Sequence, residues 1–189
     1  MSRPFSPIVV IPARLGSTRL PGKPLSLIHG EPMIVHVWRR AAAADIGPVV
    51  VACAQSSIAE AVAGAGGRAV LTRPEHASGS DRVFEAVESL DPEGRHDVVV
   101  NLQGDLPTIA PEVVRAVLRP LGQSEAVDIA TLAAQIVDPA ARGDPNVVKA
   151  AVAFPPSTSS GQAQDRPLML SLSKHEPVDP STSSGLALP

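Results

Sequence analysis

Short aliphatic runs alternate with segments of helical period through most of the chain, and that alternation predicts its architecture. Apolar runs at 8–11 (Ile-Val-Val-Ile), 49–52, 69–71 and, broken only by Asn101, 98–102 have the length and β-branched content of buried strands. Two more runs, 129–134 and 147–152, share that character. Between them the period lengthens. Residues 32–44 predict a helix with Pro32 in its first turn and Met33, Val37, Trp38 and Ala41 on one stripe. Residues 57–63 predict a second, with Ser57 as its N-cap and Gly64, Gly66 and Gly67 ending it. A third, over 79–90, sets Val83, Phe84 and Val87 on one face, and a fourth, over 111–118, stops before Gly122. Strand and helix in alternation call for an α/β fold, a mostly parallel sheet between helices.

Composition changes this picture in two ways. Hydrophobic residues fill 44% of the 189 positions but aromatics only 2%, so the core has to be aliphatic. A net charge of −3 argues against a general nucleic-acid or acidic-membrane binder. The lone cysteine, Cys53, rules out an intrachain disulfide and fits a reducing compartment. Beside the 49–52 run it reads as a small buried hydrophobe. No run is long enough to span a bilayer and the N-terminus lacks a signal-peptide core, so a cytoplasmic location is expected. From Phe154 the character shifts. Pro155-Pro156-Ser157-Thr158-Ser159-Ser160-Gly161 opens a Pro- and Ser-rich stretch, and Pro-Ser-Thr-Ser-Ser-Gly recurs at 180–185. Two copies make no stacked repeat, so the expectation is a domain over 1–153 and a disordered tail over 154–189.

The chemistry begins just beyond the first strand. Arg14, Arg19 and Lys23 share a loop with Gly16 and Gly22, restricted by Pro12, Pro21 and Pro24. Ligands of open α/β sheets bind beyond the carboxyl ends of strands, and three cations there describe a seat for a polyphosphate. The plain alternative is a solvated basic loop. Asp105 likewise follows the 98–102 run, through Gln103-Gly104. A carboxylate at that spot suits Mg²⁺, which is commonly held by one or two carboxylates with phosphates and water. Gly-Asp-x-Pro is also ordinary turn chemistry, and spacing alone leaves both readings open. Ser78 or Ser80 would cap the third helix. His36 reads as structural, His29-Gly30 as a tight turn, and His76, His96 and Cys53 share no zinc-ligand spacing. Neither a Gly-x-Ser-x-Gly elbow nor a Walker loop is present.

The same segments carry a resemblance. Pro-Ala-Arg-x-x-Ser-Thr-Arg-Leu-Pro-Gly-Lys-Pro-Leu, over 12–25, resembles the N-terminal signature of the sugar-acid cytidylyltransferases. Gly30-Glu31-Pro32-Met33-Ile34-Val35-His36-Val37 follows, then Thr72-Arg73-Pro74-Glu75-His76-Ala77-Ser78-Gly79-Ser80-Asp81-Arg82. Val100-Asn101-Leu102-Gln103-Gly104-Asp105-Leu106-Pro107 and Asp144-Pro145-Asn146-Val147-Val148-Lys149 complete the series, in family order. Thr-Arg-x-x-His-x-Ser-Gly together with Gln-Gly-Asp narrows the resemblance to the branch acting on 3-deoxy-manno-octulosonate (Kdo). It covers about residues 7 to 153.

The resemblance implies a sandwich of the nucleotide-diphospho-sugar transferase type, incomplete at the C-terminus. It implies transfer of CMP from CTP to Kdo, giving CMP-Kdo and pyrophosphate for lipopolysaccharide assembly, with Mg²⁺ as cofactor. Arg14 and Lys23 would act on the phosphates with Arg19 in support. Ser78, Gly79 and Gln103 would lie near the base, Arg73 and Arg82 would bracket it, and Asp105 would ligate the metal. Leu106 stands where the family usually has Glu. A second metal carboxylate, part of the sugar-acid pocket and the homodimer interface belong to a half of the family pattern that 154–189 does not resemble. The expectation is therefore a sequence interrupted after about Ala153 by an inserted repeat or a frame change. Two other readings stand beside the main one: an inactive remnant that at most binds nucleotide, and an enzyme for another acid sugar such as neuraminate.

Overall fold

The computed structural model describes residues 5–16, 20–123 and 127–150. They divide between two units, Met1–Ala116 and Val117–Pro189. The first unit opens with β1 (Pro7–Ala13), a 3-10 turn (Lys23–Leu25) and a small hairpin of β2 (Leu27–Ile28) and β3 (Glu31–Pro32). Then come α1 (Met33–Ala43), β4 (Val49–Cys53), α2 (Ser56–Gly64), β5 (Arg68–Leu71), α3 (Gly79–Leu90), β6 (Val98–Asn101) and α4 (Pro111–Ala116). The main sheet has the order β5-β4-β1-β6, and every pairing in it is parallel. Ile11 lies opposite Val51, Val51 opposite Ala69, and Val9 opposite Val100.

The strands form where the sequence is β-branched because both sheet faces are covered. Ile8 and Val10 of β1, Val50 and Ala52 of β4, and Val83 and Ala86 of α3 make one core cluster. Alternation sends Val9, Ile11, Val51 and Cys53 to the other face, where Ile34, Val37, Ile58 and Val62 of α1 and α2 are also buried. Each such side chain contributes about 1.5–3 kcal/mol by leaving water. Cys53 is fully buried with its Sγ 3.7 Å from the Val70 carbonyl, and burial pushes its thiol pKa up. The hairpin turns on His29 (φ 49°) and Gly30 (φ 83°), both left-handed as a two-residue type I′ loop requires. His36 is structural as expected: its Nε2 hydrogen-bonds to the Ile28 carbonyl at 2.9 Å.

Several expectations are corrected. Residues 129–134 form no strand: Ile129 is 84% exposed, and the segment joins no ladder among the described residues. A β-branched run becomes a strand only when its N–H and C=O groups meet a partner. In 147–150 the turn chemistry of Asp144 wins, its Oδ1 accepting from the Asn146 N–H at 2.8 Å, while 151 and 152 lie outside the described residues. Phe84 is 64% exposed, because the inward stripe of α3 runs through Val83, Ala86 and Leu90 and leaves Phe84 a step of helix away. The N-cap of α2 is Gln55, two residues before Ser57, and α4 ends at Ala116 with turns to 123. In the second unit, α5 (Pro139–Gly143) was not foreseen, although Asp138 caps it, accepting from the Ala140 N–H at 2.9 Å. The expected tail over 154–189 falls outside the described residues.

Candidate nucleotide site

The strand order defines a switch point. From β1 the chain builds outward through β4 and β5, then returns through α3 to lay β6 against the other side of β1. In such sheets the crevice beyond the carboxyl ends of the two diverging strands is where ligands bind. The loops leaving β1 and β6 are the ones that carry Arg14 and Lys23 on one side, Gln103 and Asp105 on the other.

The loop after β1 is held at its base. The Leu15 N–H donates to Gln55 Oε1 at 3.1 Å, and the Gly22 N–H donates to the Leu15 carbonyl at 3.1 Å. Gly22 adopts φ 69°, a left-handed conformation that starts the Lys23–Leu25 turn, and Pro24 is buried beneath it. Arg14 is exposed at the strand end. Ser17, Thr18 and Arg19 lie outside the described residues, so Arg19 is not placed.

The loop after β6 is pinned just as firmly. Leu102 N–H extends the ladder to the Val10 carbonyl at 3.1 Å. Gly104 then crosses the end of β1 so closely that a Cβ there would stand 2.7 Å from the Pro12 carbonyl oxygen. The missing side chain is what lets the backbone pass over the end of β1. This passage delivers Asp105 to Lys23, with Nζ 2.8 Å from Oδ2 and the two side chains 33% and 35% exposed.

Beyond β5 the arrangement separates two arginines that the sequence treats alike. Arg82 is 1% exposed, and its Nη1 donates to Thr72 Oγ1 and, at 3.0 Å, to the Arg73 carbonyl. Its Nη2 is buried and meets no hydrogen-bond partner among the described residues. Desolvation, and after it the charge of Arg14, push the guanidinium below its usual pKa. Arg82 thus braces the end of β5 from inside, whereas Arg73 is open to solvent. Ser78, Gly79 and Gln103 are exposed as well, with Gly79 at the start of α3 against Pro12, where a Cβ would stand 3.3 Å from its Cγ.

Glu85 is the residue that sequence reasoning missed. Both its oxygens accept from the Arg73 N–H, at 3.2 and 3.1 Å, and His76 Nε2 bonds to Oε2. It ties the 72–78 loop to α3 beside a small open cleft lined by Arg73, Glu75, His76 and Ala77. The available signal was its position four residues after Asp81, hence on the same helix face. Asp81 itself closes a capping box with Ser78: Ser78 Oγ accepts from the Asp81 N–H at 3.1 Å, and Asp81 Oδ2 accepts from the Ser78 N–H at 3.0 Å.

These bonds predict an acid response. Hydrogen bonds from the Ser78 side chain and N–H hold the Asp81 carboxyl below the usual range, and those from His76 and Arg73 do the same for Glu85. A carboxylate with depressed folded-state pKa contributes stability above its unfolded value of about 4 and loses it as pH falls through the folded value. Thermal unfolding followed by circular dichroism should therefore show stability dropping below about pH 4. Asp81→Asn combined with Glu85→Gln should flatten that slope; an unchanged slope would assign the acid response to other carboxylates.

Among the described residues no three His, Cys, Asp or Glu side chains converge on a metal position, and no helix is long and apolar enough to cross a membrane. Asp105 stands at the switch point paired with Lys23.

A parallel sheet between helices, with cations and a carboxylate beyond its switch point, defines an α/β nucleotidyltransferase-type domain. Sequence comparison makes it specific. The family described as Cytidylyltransferase matches residues 8–160, and the chain belongs to that family. It is 64% identical over 160 residues to a 3-deoxy-manno-octulosonate cytidylyltransferase of Rhodospirillum centenum, covering 85% of this chain and 62% of that one. Its identity to the enzyme of the same name from Paramagnetospirillum magneticum is 58% over 159 residues, covering 84% and 64%. Among solved structures, a CMP:2-keto-3-deoxy-manno-octonic acid synthetase complexed with CTP matches with TM-score 0.63 and 42% identity. That match covers 67% of this chain and 52% of the other. A cytidylyltransferase from Leptospira borgpetersenii shares the fold at TM-score 0.55 and 21% identity, covering 65% and 51%. The chain spans about three fifths of the length of the curated relatives it matches.

Proposed function

We propose that this chain binds CTP at the β1/β6 switch point and serves the transfer of CMP to Kdo, with pyrophosphate leaving. The observation that carries the reading is the Lys23–Asp105 pair on the loops leaving two adjacent parallel strands, with Arg14 directly after the first of them. The similarity to Kdo cytidylyltransferases, and to a synthetase holding CTP, supports the choice of nucleotide and acceptor.

The reaction asks mainly for placement and charge stabilisation. Arg14 and Lys23 would donate to phosphate oxygens and stabilise charge on the departing pyrophosphate, with Arg19 in support. The acceptor hydroxyl would attack the α-phosphate in line. Base recognition would fall to Ser78, Gly79 and Gln103 on the α3 and β6 side, with Arg73 at the mouth of the cleft. Arg82, buried beneath, would hold the Thr72–Arg73 backbone in register for it. A base whose edge does not match these groups would leave polar atoms unpaired, which is how hydrogen bonds select cytosine.

The chemistry of Asp105 fits a divalent cation: a hard, partly exposed carboxylate oxygen, with the remaining positions left to phosphates and water. Mg²⁺ bound there would neutralise phosphate charge during transfer. Asp105→Asn keeps the shape and removes the charge, so the Mg²⁺ dependence of CTP binding should largely vanish in isothermal titration. Undiminished Mg²⁺ dependence would return Asp105 to a turn role.

A second reading, nucleotide binding without transfer, is favoured by the absence, among the described residues, of any cluster of three or more His, Cys, Asp or Glu side chains that could hold a metal ion. Pyrophosphate release from CTP, Mg²⁺ and Kdo decides between them. CTP binding without release supports the second reading, and release supports the first.

A further inference from the structure

We propose that the Lys23–Asp105 ion pair is a latch on this site, holding the phosphate-binding ammonium against a carboxylate until a triphosphate arrives together with a divalent cation. The inference rests on the proposed CTP site and adds to it a coupling between nucleotide and cation.

The pair is a product of rigid supports on both sides. Lys23 rises from a turn started by left-handed Gly22 and seated on buried Pro24. Asp105 follows Gly104, whose backbone lies too close to the Pro12 carbonyl to admit a Cβ. These supports bring the charges to 2.8 Å in a direct charge-assisted hydrogen bond. Separating them therefore costs the pair itself and no refolding of either loop. With about a third of each side chain exposed, such a pair is worth up to about a fivefold factor in an equilibrium.

Each half of the ligand meets an obstacle alone. A triphosphate without a cation has to draw Lys23 away and then lie beside the Asp105 carboxylate, like charge against like. A cation without triphosphate has to displace an ammonium already bound to Asp105. Arriving together, they satisfy both side chains, so each strengthens the binding of the other by the same factor. The latch would keep the phosphate seat from filling with metal-free nucleotides or loose cations.

The test is a double-mutant cycle on metal-free CTP, read by ³¹P NMR titration in EDTA, which follows millimolar affinities. The proteins are the parent chain, Asp105→Asn, Lys23→Ala and the double variant, each checked for its fold by circular dichroism. Asp105→Asn should bind metal-free CTP about three- to fivefold tighter than the parent. In the Lys23→Ala background the same change should give a clearly smaller gain, because repulsion by the carboxylate is relieved but no Lys23 ammonium is released. Equal gains in both backgrounds would mean simple repulsion by the carboxylate and would overturn the latch, as would no gain in either. If the parent binds CTP with Mg²⁺ but shows no such coupling, only the latch fails. If it binds no CTP with or without Mg²⁺, the CTP site itself fails and takes the latch with it.

Discussion

Arg14→Ala and Lys23→Ala are each expected to weaken CTP binding in the presence of Mg²⁺ by about 1.5–3 kcal/mol, roughly ten- to 150-fold. The magnitude is that of hydrogen bonds to a charged group, of which a triphosphate offers several. Neither side chain is part of the core: Arg14 is exposed and Lys23 half-buried, so both variants should unfold at nearly the parent temperature. Loss of affinity with retained stability is the signature of a binding role. Isothermal titration measures the first and calorimetry the second. If both variants bind CTP as the parent does, the phosphates lie elsewhere and the switch-point reading is wrong. Arg19→Ala should cost less, since a third cation on the same loop adds to a field two others already supply.

Where the candidate residues sit was largely legible in the sequence for a physical reason. Arg14, Lys23 and Asp105 owe their placement to strand ends, and β1 and β6 announce themselves as uninterrupted aliphatic runs, Ile8 to Ile11 and Val98 to Val100. The start of α3 was equally readable, because Ser78 and Ser80 are both residue types that cap helices, and Ser78 is the one that does. What could not be read was side-chain depth. Arg73 and Arg82 look equivalent in one dimension, yet Arg82 points to the core side of α3 while Arg73 stands in solvent. Glu85 was missed because a clamp between a loop and a helix depends on how the loop folds back, which no periodicity encodes. Residues 129–134 show the opposite failure. Their apolar content suits a strand, but a ladder partner is a property of the whole sheet.

Two glycines at opposite ends of β1 allow the fold and the site to be perturbed separately. Between α1 and β4, a Cβ on Gly47 would stand 2.0 Å from the Pro7 carbonyl oxygen and 3.0 Å from its carbon. Backbone cannot yield as a side-chain tip can, so Gly47→Ala has to displace the start of β1, where the Val9 N–H bonds to the Pro48 carbonyl at 2.9 Å. Overpacking of this kind costs about 1–3 kcal/mol and occasionally more, and Gly47→Ala should lie at or beyond the upper end. Gly104→Ala meets a milder contact, 2.7 Å from the Pro12 carbonyl oxygen, and should cost about 1–2 kcal/mol in urea unfolding. Function should rank them the other way. Gly47 lies at the N-terminal end of the sheet, so its folded fraction should bind CTP with parent affinity. Gly104 carries Asp105, and a shift of its backbone by a few tenths of an ångström moves that carboxylate away from Lys23. The Mg²⁺ dependence of CTP binding should therefore fall in Gly104→Ala and persist in Gly47→Ala. Should Gly104→Ala keep both its stability and its Mg²⁺ dependence, the close passage over Pro12 is not what positions Asp105.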